Sequence, residues 1–273
     1  MTWWMQNEAV CIDRLGSLTI HRKRAVSSET VRDLFDQALG GAGEPLKVTR
    51  KSETRRLGPW VTKLCRAQAP LGLVRLNCRP SRYRRPWIVS WHLLNKGVGV
   101  PAPVAFIEKR SFGIIAACAT VCEYLEGART VEQYADRLVA QSAAEEEIER
   151  FLARLADSIS RLVSSGAYHT DLSGKNILTR DGNSFYFIDL DSVVLNRPYS
   201  DGMRLRNHIQ LYDSFCDRWD PNCLEPFLLR LLPAACDSKA WIMAVKNGQA
   251  ARRARQLAIW QRQGLARGPQ AQK

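Results

Sequence analysis

One stretch of this 273-residue chain constrains its fold more than any other. From about Ala144 to Ser164, Ile148, Phe151, Leu152, Leu155, Ile159 and Leu162 share one stripe, and Glu145, Glu146 and Glu147 open the segment, which predicts an amphipathic helix ended by Gly166. His169-Thr170-Asp171-Leu172-Ser173-Gly174-Lys175-Asn176 follows, then a turn at Asp181-Gly182-Asn183 and a strand over 184–188 whose end carries Asp189 and Asp191. Each polar residue is ordinary alone: Asp171 suits a turn, Asn176 a helix cap and Asp189 an ion-paired strand end. Their joint order and spacing is what any fold has to accommodate.

The chain is long enough for one large domain or two small lobes. Hydrophobic residues make up 45% and charged residues 25%, a soluble globular mix, and no uncharged run approaches the roughly 20 residues of a membrane-spanning helix. Met1-Thr2-Trp3-Trp4-Met5 has no basic segment before it and is followed by Glu8 and Asp13, which argues against a signal peptide. A cytosolic setting also suits the eight cysteines, which form no paired framework. Cys118 and Cys122 are the one close pair, and the four histidines do not complete a zinc set around them.

The net charge of +13 is localised. Lys47 to Arg110 holds fifteen Lys and Arg against Glu53 and Glu108, while the rest of the chain is balanced. No acid follows Asp237, so the end of the chain is basic as well, with Lys246, Arg252, Arg253, Arg255 and Arg262. Such clustering predicts an anionic partner.

The expected fold class is α+β, with a strand-rich first lobe over 1–125, including an N-terminal extension to about residue 43, and a helical second lobe over 126–273. Ser27 or Ser28 caps a helix over 29–39 with Val31, Leu34, Phe35 and Ala38 on one face. Residues 46–68 read as a hairpin-rich region, and Pro86 as the first turn of a helix closed by Gly97. Two strands are expected within 113–124, and helices over 204–219, 224–232 and 250–263.

Phosphoryl transfer needs little covalent chemistry from a protein; it needs positioning and neutralised charge. The order H-x-D-x4-N, then an apolar strand ending in aspartate, matches the catalytic centre of protein-kinase-like phosphotransferases. Asp171 fits the group that accepts the acceptor hydroxyl's proton, and Asn176 and Asp189 fit the ligands of Mg²⁺. His169 reads as scaffold, because Asp171 already fills the base role.

From about Leu46 to Trp219 the chain resembles the bacterial lipopolysaccharide core kinases that phosphorylate Kdo or heptose. The likeness is carried by Val61-Thr62-Lys63, the basic segment Arg79–Arg85 leading into Trp87, Val98-Gly99-Val100-Pro101-Ala102-Pro103, Glu123-Tyr124-Leu125-Glu126-Gly127, the His169 segment and Phe187-Ile188-Asp189-Leu190-Asp191. The resemblance implies a two-lobed kinase-like fold with ATP and Mg²⁺. It makes Lys63 the strand lysine that reaches the ATP phosphates, and Glu123 to Leu125 the hinge beside adenine.

Two positions depart from that pattern. The family generally has an acid just before the aromatic at Trp87, where this chain has Pro86, and no acid occurs from Thr54 to Ile107, so Lys63 lacks a local carboxylate. No G-x-G-x-x-G is present; Lys51 to Arg56 would have to cover the phosphates with basic side chains and backbone amides. Asp191 reads most simply as a turn cap.

A protein kinase needs a long peptide-holding segment and an A-P-E-like anchor after the metal-binding aspartate; here a helical pattern resumes near Arg204, which favours a compact acceptor. A basic first lobe fits the anionic lipopolysaccharide inner core better than a cationic drug or choline. The expectation is an ATP-dependent kinase for a Kdo or heptose hydroxyl, peripheral to the inner face of the cytoplasmic membrane through Arg75, Arg79, Arg82, Arg84 and Arg85, with no nucleic-acid role. The C-terminal helix, with Arg252, Arg253, Arg255, Ile259 and Trp260, is a second candidate contact, or a plain solvated helix that packs Leu257 and Trp260 inward. A degenerate kinase-like binder of an anionic partner, or a kinase for another small acceptor, are the alternatives.

Overall fold

A computed structural model describes residues 9–67, 73–74, 76–77, 80–233 and 236–262. The chain falls into two compact units, one of residues up to 128 plus 186–195, the other of 129–185 plus the residues from 196 onward.

The first unit is built on an antiparallel sheet of seven strands: β1 (Val10–Leu15), β2 (Leu18–Lys23), β3 (Glu44–Val48), β4 (Glu53–Leu57), β5 (Trp60–Arg66), β6 (Pro103–Ser111) and β7 (Ile114–Glu123), in the order β1-β2-β6-β7-β5-β4-β3. Helix α1 (Ser28–Leu39), capped by the Ser27 hydroxyl, covers one face. It sets Val31, Leu34, Phe35 and Ala38 against Ile20, Leu64, Ala105, Ile107 and Ala119. Helix α2 (Pro80–Asn95) covers the other, where Trp87 and Trp91 pack with Phe106, Ile115 and Cys118. Because successive strand residues face opposite ways, Ala105 and Ile107 serve one core and Phe106 the other. That is why β6 and β7 read as continuous apolar runs rather than as alternation.

Three expectations change here. The stretch before residue 43 supplies β1, β2 and α1, which belong to the sheet and its cover. Residues 114–123 form one ten-residue strand instead of two, since nothing within them breaks the chain. Helix α2 begins at Pro80, six residues before the expected start, and Pro86 lies inside it. The rule that places proline in a first helical turn was right, but Pro80 is the residue that obeys it. At Pro86 the helix forgoes one backbone bond.

The second unit contains β8 (Arg129–Thr130), α3 (Val131–Ala140), α4 (Glu145–Ser164), β9 (Ala167–His169) and β10 (Ile177–Thr179). Then come β11 (Phe185–Phe187) and β12 (Val193–Leu195), whose residues from 186 on count with the first unit, and α5 (Asp201–Phe215), α6 (Pro221–Arg230) and α7 (Ser238–Arg262). Helix α4 follows the expected stripe, and Phe151 from it stacks on Tyr134 at 5.1 Å between ring centres and meets Trp219 edge-on. The basic C-terminal helix is longer than expected and three of its basic residues are engaged: Arg253 pairs with Asp213 at 2.6 Å and Asp217 at 2.8 Å, Arg252 with Asp213 at 3.3 Å, and Lys246 with Glu225 at 2.7 Å. Leu257 is exposed.

His208 is buried, accepts a hydrogen bond from the Trp241 indole at 2.9 Å, and is held neutral by burial and by Arg204, its pKa lowered to about 3. His21 is lowered to about 4, by burial and by Arg84. Unfolding frees both to bind protons at their ordinary value, so stability is complete above about pH 6.5 and falls as pH drops toward 4. The expected slope is about 1.4 kcal/mol per pH unit for each histidine. Urea midpoints across that range should show it, and His208→Asn should flatten the curve; a pH-independent midpoint would refute the neutral-histidine reading.

Candidate active site

The loop after β9 is irregular yet largely buried, so its backbone groups must be matched one by one. Helix α5 does this with three buried polar side chains on one face. Asn207 Nδ2 donates to the His169 carbonyl at 2.8 Å, and Gln210 Nε2 donates to the Thr170 carbonyl at 3.0 Å. Gln210 Oε1 accepts from the Leu172 amide at 2.8 Å, and the Ser214 hydroxyl from the Gly174 amide at 2.8 Å. Glu132 of α3 accepts from the Lys175 amide at 3.1 Å. None of these four was singled out from sequence; the available signal was polar residues at 207, 210 and 214, helical spacing, beside Leu211 and Phe215. A Cβ at Gly174 would lie 2.6 Å from Glu132 and 3.2 Å from Ser214, which is why glycine stands there.

Held this way, the loop brings Asp171 and Asn176 together. Asn176 Nδ2 donates to the Asp171 carbonyl at 2.8 Å and to its carboxylate at 2.9 Å, which leaves Asn176 Oδ1 as an acceptor for a cation. Lys175 Nζ stands 3.6 Å from the Asp171 carboxylate. His169 is buried, and its Nδ1 accepts from the Asp171 amide at 3.2 Å, consistent with scaffolding.

In the first unit, Lys63 on β5 lies opposite Thr120 of β7. Its ammonium donates to Asp189 at 3.3 Å and forms a close ion pair with Asp191. Burial pulls the Lys63 pKa down, and the charges of Asp191 and Asp189 more than offset it, so the value stands above that of an ordinary lysine. The lysine thus has its carboxylate partner, supplied by the segment after β11. Asp191 is that partner rather than only a turn cap. Asp189 has left-handed backbone (φ 55°) and opens a single 3-10 turn, Leu190–Ser192, whose Ser192 hydroxyl donates to Asp189 at 3.1 Å. The Phe187 amide, bonded to the Gly99 carbonyl at 2.9 Å, fixes the strand just before it.

Glu123 ends β7 with its amide bonded to the Ala102 carbonyl at 2.9 Å, and Leu125 is buried two residues on. A cavity of about 590 Å³, lined by Lys23, Ser27, Trp60, Pro103, Glu123 and Tyr124, touches this segment. Trp60 and Lys63 face opposite sides of the sheet, so that cavity is not the lysine's. In the β3–β4 turn the amides of Lys51 and Ser52 point back to the Thr49 hydroxyl, at 3.2 and 3.1 Å. What the turn can offer an anion in this conformation is therefore side-chain charge more than those two amides.

Asn176 Oδ1 and the Asp189 carboxylate are oxygen donors of the type Mg²⁺ takes, and the ion characteristically uses few protein ligands alongside phosphate oxygens. Among the described residues no group of three or more His, Cys, Asp or Glu could hold a metal alone. Each of the two oxygens, taken by itself, is a donor of the kind a nucleotide-borne cation uses.

Comparison with known proteins adds three findings. The family model described as "Lipopolysaccharide kinase (Kdo/WaaP) family" matches residues 73–226, more than half of the chain. The solved structure "WaaP in complex with acyl carrier protein" superposes with a TM-score of 0.63 at 16% identity, covering 83% of this chain and 98% of that one, a likeness of fold. Two structures of WbdD, one described as a bifunctional kinase-methyltransferase, match at 17% identity and a TM-score of 0.45, covering 74% of this chain and 48% of theirs. No curated protein matches.

Replacing Gln210 by Leu would strand the buried Leu172 amide, at about 1–3 kcal/mol for an unsatisfied group, and remove the bond to the Thr170 carbonyl. A lowered urea midpoint and faster hydrogen exchange at Leu172 are expected; a midpoint equal to the parent's would show that α5 does not hold the loop.

Proposed function

The chain belongs to the lipopolysaccharide kinase (Kdo/WaaP) family, and from that membership we propose that it transfers the γ-phosphate of ATP to a hydroxyl of Kdo or heptose in the lipopolysaccharide inner core. The observation that carries the reading is the Asp171–Asn176 pair, locked by two hydrogen bonds inside the segment that the family model matches. In this reading the Asp171 carboxylate accepts the sugar hydroxyl's proton as the hydroxyl oxygen attacks phosphorus and ADP leaves. Asn176 and Asp189 would each offer an oxygen to Mg²⁺, which would supply charge neutralisation on the phosphates. Lys63 contacts the phosphates, and Glu123 to Leu125 border adenine. Against the degenerate-kinase alternative, the ion pairs of Lys63 with Asp189 and Asp191 support the kinase reading, since they supply the carboxylates that the sequence near Lys63 lacks.

The test is mass spectrometry of core lipopolysaccharide from cells with and without the gene, together with transfer from labelled ATP by the purified protein. One phosphate on one inner-core sugar should disappear with the gene. Asp171→Asn and Asp189→Asn should each lower transfer by about 100-fold or more. An unchanged core mass with no transfer in vitro would refute the assignment.

The acceptor sits in an anionic glycolipid, so the same reading puts the protein at the inner face of the cytoplasmic membrane as a peripheral partner. No helix among the described residues is long and apolar enough to cross a membrane. Of the five arginines expected to make the contact, Arg84 is 3.4 Å from Glu108 and Arg85 is exposed; Arg75 and Arg79 lie outside the described residues, as does the side chain of Arg82. A second support is the tip between β6 and β7. There Phe112 is fully exposed with positive φ, next to exposed Arg110 and Ile114. Each basic residue near an anionic surface contributes about 1 kcal/mol, screened over about 8 Å at physiological salt. Co-sedimentation with phosphatidylglycerol vesicles should weaken as salt rises and weaken again in Phe112→Ser; binding indifferent to both would remove the membrane contact.

A further inference from the structure

The lysine on β5 is held in an unusual way for a helix-covered sheet face: the covering helix gives it nothing. From Pro80 to Asn95 helix α2 carries no acid, and Pro86 lines, with Lys63, Cys65, Cys118 and Asp191, a cavity of about 10 Å³. That is room for about one water, and no side chain of α2 supplies a charge to the ammonium there. A partly buried cation requires a fixed counter-charge, and here the counter-charges come from Asp189 and Asp191.

The two carboxylates are differently placed. Asp189 is also bonded to Ser192, and it is the residue to which the kinase reading gives the cation. A carboxylate committed to a divalent ion has less charge to offer the lysine. Asp191 lies in the 3-10 turn that packs against α2, and its close ion pair is with Lys63. We infer that Asp191 is the positioning residue that keeps Lys63 aimed at the nucleotide phosphates, filling from the turn after Asp189 the place that an acid at position 86 of α2 would otherwise fill. The inference rests on the kinase reading of this site. Pro86 is then tolerated because its position no longer has a charge to supply, and an acid returned there would share the same cavity with the ammonium.

The experiment measures nucleotide binding without turnover, by calorimetry of the full chain in EDTA, with ATP and with adenosine. Lys63 serves the phosphates, so Asp191→Ala should lower ATP affinity by about tenfold or more, the scale of one lost charge-assisted contact, and leave adenosine affinity unchanged. Asp191→Asn, which keeps the side-chain volume, should do the same with a thermal midpoint close to the parent's, which guards against misfolding. The double variant Asp191→Ala with Pro86→Glu should regain ATP affinity. Equal ATP binding by parent and both Asp191 variants, a parallel loss of ATP and adenosine, or no recovery in the double variant would each overturn the inference while leaving the kinase reading standing. A parent protein that binds neither nucleotide would sink the kinase reading and this inference with it.

Discussion

Buried irregular backbone cannot satisfy itself, and the loop after β9 depends on that constraint throughout. A helix or strand pairs its own amides and carbonyls; the segment from His169 to Asn176 does so only in part, and side chains of α5 and α3 match the Leu172, Gly174 and Lys175 amides and the His169 and Thr170 carbonyls. The same bonds set the loop's shape to within hydrogen-bond tolerance. Asp171 and Asn176 meet in a loop whose amides at Asp171, Leu172, Gly174 and Lys175 are already matched. The Asp171–Asn176 arrangement is thus a by-product of polar pairing by a helix remote from it in sequence.

The lysine site follows a related rule with charge in place of hydrogen bonds. Strand β5 delivers Lys63 to a face sealed by Trp87, Trp91 and Phe106, where an ammonium without partners would be costly. Asp189 reaches it only because its backbone adopts the left-handed region, which aspartate tolerates better than most residues, and the short turn that follows swings Asp191 to the same ammonium. The strained residue and the ion pair therefore support one another: the turn places the acids, and the lysine repays the turn with two contacts.

These two sites were legible in the sequence to different depths. Asp171, Asn176 and Asp189 stand at fixed separations within one short segment, so spacing alone marked them. Lys63 was found through resemblance, and its partner was missed because Asp191 is 128 residues away and nothing local to Lys63 refers to it. Asn207, Gln210 and Ser214 were missed for a different reason: a buried polar face on a helix looks like a solvent face when periodicity is the only guide. Strand and helix ends erred where two residues competed for one rule, as Pro80 and Pro86 did. Long periodic segments such as α4 did not err, since many residues there say the same thing.

Net charge was the least literal of the sequence features. The basic C-terminal helix suggested an anionic partner, yet Lys246, Arg252 and Arg253 are engaged by Glu225, Asp213 and Asp217 of the neighbouring helices, so much of that charge does structural service. Arg22, Arg55, Arg56, Arg66 and Arg84 of the first unit are likewise paired, with Asp13, Glu53, Glu126 and Glu108. Among the described residues Arg110 is paired in the same way, with Glu108 at 3.2 Å, whereas Lys51 in the β3–β4 turn and Arg85 on α2 are exposed.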